Sequence, residues 1–167
     1  MRIEIREKVT ITEENLQEKL NLLPNSLKRK TPPVFQAAYF AAKEVIEKNE
    51  KPQAIICVSA LGCLNETISF LDKLDETNFG SPKDFVYSVH NSLGGMLAKE
   101  FEIFGPNLTI MAKSFDEAQI IAEMLDEKTF LFVFFDDGNE FARNFLLKCN
   151  KKPSNSLGYA SACFYSK

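Results

Sequence analysis

Two runs decide most of what this chain can fold into. Gln53 to Ala60 reads QAIICVSA and Thr129 to Phe135 reads TFLFVFF, each a short and nearly unbroken apolar stretch. A strand with one face in water alternates apolar and polar side chains, so a run without that alternation is a strand covered on both faces. A central strand of this kind implies helices above and below its sheet. Pro52 opens the first run, Gly62 closes it, and Asp136-Asp137-Gly138-Asn139 turns the chain out of the second.

The remaining elements arrange themselves around these two strands. Arg2 to Ile11 places Ile3, Ile5, Val9 and Ile11 at mostly even spacing, which predicts a strand with one face buried. Leu16, Leu20 and Leu23 suggest a short helix or an irregular lead-in that ends at Pro24. Pro32-Pro33 then opens a helix from Val34 to Lys48, since a proline in the first turn gives up an N–H that would be unpaired anyway. Val34, Ala37, Ala38, Ala41, Ala42, Val45 and Ile46 form one wide apolar stripe on it, and the small residues allow close approach to a sheet. Asn65 is the expected cap of a helix from Glu66 to Leu74, with Ile68, Leu71 and Leu74 facing inward. A helix from Glu140 to Cys149, a polar loop through Pro153 and Gly158, and a strand from Tyr159 to Tyr165 close the chain. The order is βαβααβαβαβ with no composition shift that marks a linker, which predicts a single α/β domain over residues 1–167.

Composition narrows the function classes. At 167 residues and a net charge of −3, the chain is long enough for a real core and carries no basic face of the kind that binds nucleic acid. The one basic run, Leu27-Lys28-Arg29-Lys30, reads as a solvated loop. There is no apolar stretch of about eighteen residues to span a membrane, and Met1-Arg2-Ile3-Glu4 is charged rather than a signal sequence. A cytoplasmic protein is the expectation. Cys57, Cys63, Cys149 and Cys163 form no CxxC pair, and with His90 the sole histidine neither a metal site nor a cofactor is expected. Buried free thiols are the reading that fits.

The stretch from Ser81 to Leu125 carries the functional question. It reads as a loop, a helix from Ser92 to Phe104, a Gly105-Pro106-Asn107 turn, a strand from Leu108 to Ala112 and a sharp entry into a second helix. A residue at such a bend sits on the positive N-terminal end of the helix, where many folds place a nucleophile. Here the bend is Lys113-Ser114-Phe115-Asp116. Ser114 reads either as a nucleophile or as a helix N-cap, Lys113 as a solvated loop residue, and His90 either as a base toward Ser114 or as a structural histidine ahead of a helix. Between Ala118 and Leu125 only Gln119 and Glu123 are polar, so this helix is expected to be covered on more than one side, the second by a partner protein. An acyl-chain pocket near Phe85, Phe101 and Phe115 is a further expectation, although such aromatics are more often core.

Taken together, these motifs resemble the N-terminal half of a β-ketoacyl synthase, a member of the thiolase-like fold. The resemblance is carried by Lys28-Arg29-Lys30 ahead of FQAAYFAAKEVI, the strand ending AIICVSALG, Ser88-Val89-His90-Asn91, the glycine-bearing helix, Gly105-Pro106-Asn107-Leu108-Thr109-Ile110, and Gly158-Tyr-Ala-Ser-Ala-Cys-Phe-Tyr. It implies a thiolase-like half-domain with a mixed, mostly parallel five-stranded sheet and helices on both faces. The family's nucleophilic cysteine is the tenth residue of the segment opened by Gly105, and here that residue is Ser114. The family's other catalytic groups belong to a C-terminal half outside this sequence. A serine with no general base in view is a weak nucleophile, so no independent condensing activity is expected.

What the resemblance implies is a catalytically incomplete protein accessory to fatty-acid, polyketide or aryl-polyene-type synthesis, as chain-length-factor subunits are. Its partner would be a full-length ketosynthase or an acyl carrier protein. Thiolase-like proteins pair across a two-fold axis through the strand before the bend, which here is Asn107 to Ala112 and implies a homodimer or heterodimer. The alternative is an acyl transferase or hydrolase with Ser114 as acyl acceptor and His90 as base, with Asn91 and Phe115 lining the binding site.

Overall fold

The computed structural model describes residues 4–28, 31–112, 115–136, 148 and 160–167, with the backbone alone for 4–7 and 13. Its strands are β1 (Glu4–Ile11), β2 (Ala54–Ser59), β3 (Asn107–Met111), β4 (Thr129–Phe135) and β5 (Ala160–Ser166), joined in one sheet in the order β1-β5-β4-β2-β3. β2 runs parallel to both β3 and β4, whereas β5 is antiparallel to β4 and β1 antiparallel to β5. Four strands therefore point one way and β5 the other, the mixed, mostly parallel sheet that the sequence implies. β3 lies at one edge.

Every residue of β2 and of β4 is buried, as two-faced strands must be. Side-chain alternation divides them between two cores. Ile55, Cys57, Leu131, Val133 and Phe135 join Ala160, Ala162 and Phe164 on one face. Ala54, Ile56, Val58, Phe130, Phe132 and Phe134 join Cys163 and Tyr165 on the other.

The helices are α1 (Glu13–Lys19), α2 (Asn25–Lys28), α3 (Pro33–Glu47), α4 (Leu64–Thr77), α5 (Pro82–Ser88), α6 (Ser92–Glu100) and α7 (Phe115–Met124). On the first face lies α3, expected over Val34 to Lys48 and found over Pro33–Glu47, which buries Val34, Phe35, Ala37, Ala38, Tyr39, Phe40, Ala41, Ala42 and Val45. Its alanines bring the backbone close to β5, β1 and β4, while Phe35 and Phe40 each contribute on the order of 2–3 kcal/mol of apolar burial. α6 covers the same face through Leu93, Gly94 and Leu97. α7 covers the opposite face with Ala118 and Ala122 buried.

Several expectations change. α4 starts at Leu64 with Cys63 at its N-cap, so Asn65 lies inside the first turn rather than capping it. Leu71 and Leu74 are 53% and 38% exposed instead of facing a core. The reason is that α4 packs on α5, Phe70 meeting Phe85 edge-on at 5.8 Å, and a helix on a short helix shows the same apolar spacing as a helix on a sheet. The loop expected over Ser81 to Asn91 contains α5, whose N-cap Ser81 accepts from the Asp84 N–H with Pro82 behind it. α6 stops at Glu100, and Glu102 turns the chain with φ +54°. The outer side of α7 is open, with Ile120 57% and Met124 77% exposed. The helix expected over Glu140 to Cys149, apart from Lys148, and the loop through Pro153 and Gly158 lie outside the described residues. No described helix is long and apolar enough to cross a membrane.

Two stability measurements follow from this packing. Gly94 sits where α6 crosses β2 and β3, and a Cβ there would lie 2.3 Å from Asn107 Oδ1 and 3.2 Å from Cys57 Sγ. Gly94→Ala gains about 1 kcal/mol of helix propensity but overpacks the contact by about 1–3 kcal/mol. Urea unfolding is expected to show a net loss, and an unchanged or raised midpoint would contradict the close approach. Burial also pushes the thiols of Cys57 and Cys163 up to about 12. The unfolded thiols ionise from about pH 9, so the stability these groups contribute is complete below pH 9 and lost as pH rises toward 12. Unfolding free energies measured across that window are expected to fall more steeply for the native chain than for Cys163→Ala.

Candidate functional site

Parallel strands deliver their carboxyl ends to one edge of the sheet, the usual location of sites in α/β folds. Ser59 ends β2, Ala112 follows β3 and Asp136 follows β4. The Ala112 N–H donates to the Ser59 carbonyl at 3.2 Å, which locks the β2 and β3 ends together. Asp136 is buried, at 3% exposure, and one of its oxygens collects three donors. The Ser59 hydroxyl donates to Asp136 Oδ1 at 2.6 Å, the Ala60 N–H at 3.0 Å and the Leu61 N–H at 3.1 Å. The Leu61 and Gly62 N–H groups also donate to Ser59 Oγ, at 3.3 and 2.7 Å. The next N–H, of Cys63, donates to His90 Nδ1 at 3.1 Å. Four successive backbone donors after β2 are thus satisfied inside the protein by Ser59, Asp136 and His90.

This geometry bears on each residue that the sequence singles out. Lys113 and Ser114 lie outside the described residues. Their neighbours Ala112 and Phe115 are placed, and the Phe115 ring lies against Phe132 at 5.1 Å, Phe134 at 6.1 Å and Tyr165 at 6.4 Å. His90 is exposed, and because Nδ1 accepts a backbone hydrogen bond, Nε2 is the nitrogen that remains for another partner. Asn91 stands at the N-cap of α6, exposed and without a side-chain capping bond.

The expected pocket near Phe85, Phe101 and Phe115 does not form. Phe85 is exposed beside Phe70, Phe101 stacks on Tyr39 at 5.4 Å, and Phe115 packs on the other face of the sheet. α6 and α7 cover opposite faces, so aromatics that follow one another in the chain are separated by the sheet.

Chemically, the described part of this edge is built to hold a loop. Cys57, Cys63 and Cys163 are buried thiols. With thiols at about 12, Cys57 and Cys163 supply almost no thiolate near neutrality. Of the backbone donors that follow β2, the Ala60, Leu61 and Gly62 N–H groups are occupied by Asp136 and Ser59 and are not open to an oxyanion. Among the described residues no group of three His, Cys, Asp or Glu side chains is arranged to hold a metal ion. Asp136 and Ser59 are the residues that sequence reading passed over. The available signal was a carboxylate placed directly after a fully apolar strand, where a buried charge requires donors.

Comparison with known proteins agrees with this architecture. No curated protein sequence matches the chain. A chain from the structure of the ketosynthase ApeO in complex with its chain length factor ApeC from Xenorhabdus doucetiae superposes with a TM-score of 0.71 at 20% identity, covering 100% of this chain and 79% of that one. The ishigamide ketosynthase/chain length factor gives 0.67 at 15% identity, covering 91% of this chain and 47% of that one. These likenesses establish the thiolase-like fold of the ketosynthases. The family model for the beta-ketoacyl synthase N-terminal domain matches residues 4–156. On that match, which runs over most of its length, the chain belongs to the family of beta-ketoacyl synthase N-terminal domains.

Proposed function

We propose that this chain is a catalytically incomplete ketosynthase-like subunit that assists fatty-acid, polyketide or aryl-polyene-type synthesis by pairing with a full-length ketosynthase. The observation that carries this reading is the open edge of β3. The Ile55 N–H donates to the Pro106 carbonyl and the Ala112 N–H to the Ser59 carbonyl. In a parallel ladder, alternate residues bond to the same neighbour, so Leu108 and Ile110 face β2 while Asn107, Thr109 and Met111 direct their N–H and C=O groups outward. Among the described residues no strand pairs with this row, and such a row is a template for another strand. Met111, Ile120 and Met124 add exposed apolar side chains on β3 and α7.

Ser114 at the position of the family's cysteine supports the absence of condensing chemistry, because a serine without a general base does not hold an acyl chain as a thiolate does. The hydrogen bond on His90 Nδ1 weighs against His90 as that base. Both similar structures are described as a ketosynthase together with a chain length factor, which favours a ketosynthase over an acyl carrier protein as the direct partner.

The test is affinity purification of the tagged chain from its native cells with mass spectrometry of what it retains. A full-length ketosynthase is expected, with Ser114 unmodified. Met111→Pro removes one outward N–H from the edge without touching the ladder to β2, and is expected to weaken retention at least about tenfold, roughly 1.4 kcal/mol, with the fold intact by circular dichroism. Ser114→Ala is expected to retain the partner fully. An acyl group on Ser114 that is lost in His90→Ala would sink this reading and establish the acyl-transfer alternative.

A further inference from the structure

We propose that α4 and α5 form a hinged flap that opens as one body from the rest of the domain, latched by the Asp136 carboxylate at the turn from Ala60 to Cys63. The first ground is burial. α3 buries nine residues and α6 three, whereas neither α4 nor α5 buries any. Apolar burial sets how firmly an element is held, so the pair belongs at the low-stability end of the molecule.

The second ground is that the two helices hold each other. Phe70 meets Phe85, Lys73 pairs with Asp84 at 2.8 Å, and Thr67 Oγ1 donates to the Ser88 carbonyl at 3.1 Å. The mutual hydrogen bond holds the Asp84 carboxyl below the usual carboxylate range and the Lys73 ammonium above its own. The pair also touches α6, where the Ser92 hydroxyl donates to the Val86 carbonyl, but a unit this cohesive that buries no residue of its own moves as a body rather than fraying.

The third ground is the form of its attachment. The flap joins the domain through Ala60–Cys63 on one side and Val89–Asn91 on the other, and the Cys63 N–H to His90 bond stitches these two connections together. Gly62 has φ +65°, and a Cβ there would meet His90 Nδ1 at 2.3 Å, so this corner takes its shape because the residue is glycine. The turn itself is held from β4 by Asp136. The Tyr87 ring, edge-on to Phe35 at 5.2 Å, is the aromatic contact that seats the flap on the α3 side. Opening would carry the exposed Leu71, Phe79, Phe85 and Val86 with it and uncover Phe35.

Native-state hydrogen exchange on the wild-type chain tests the flap. Amides across 65–88 are expected to exchange together, at least about a hundredfold faster than those of β2, β4 and β5. Protection in 65–88 equal to that of the central strands would overturn the proposal, as would independent fraying of α4 and α5. The latch is read in variants. Asp136→Ala is expected to speed exchange across 65–88 about tenfold with β5 unchanged, while Asp136→Asn, which keeps the acceptor oxygen, stays within about threefold of wild type. Equal acceleration of every element in Asp136→Ala would remove the latch. Should that variant not fold, Gly62→Ala takes its place, with the same acceleration across 65–88 expected and its absence overturning the hinge.

Discussion

The structure depends on burying β2 and β4 on both faces. Ile55 and Cys57 on one side and Ile56 and Val58 on the other demand two separate layers. Once β2 is central and parallel to both neighbours, β3 and β4 must be reached by crossovers, and α7 and the helices before β3 supply the cover. The two cores differ in kind. The α3 side is made close by alanines, whereas the α7 side is filled by rings, with Phe115, Phe130, Phe132 and Tyr165 in mutual contact.

Parallel alignment also explains why the polar network sits where it does. Strand ends that arrive together leave backbone donors with no ladder partner, and a buried donor without an acceptor costs about 1–3 kcal/mol. Here the chain satisfies them with its own carboxylate and serine, which fixes the loop. The family's chemistry needs a thiolate, whereas this chain has Ser114 at that position and its described thiols are buried.

Much of this was legible from residue order alone. The strands at Ala54–Ser59 and Thr129–Phe135, the helix opened by Pro33, and the strand that follows Gly105-Pro106 all appear where the apolar pattern and the turn residues put them. Two of the misreadings have related causes. Ile68, Leu71 and Leu74 recur at helical spacing whether the helix lies on a sheet or on another helix, and only the fold shows that α4 rests on α5. The grouping of Phe85, Phe101 and Phe115 failed for a related reason, since nearness in sequence carries no information on which face of the sheet each ring meets.

Sequence by itself determined the layered α/β class, the two doubly buried strands and the serine at the family's cysteine position, because periodicity and residue identity are local properties. Tertiary structure decided that Asp136 closes on Ser59, Ala60 and Leu61, residues about 75 positions away. It also decided that β3 is an edge and that α4 and α5 stand outside the core. Each of these depends on which strands become neighbours, and strand order is set by how the helices can cover both faces at once, a condition that no local window contains.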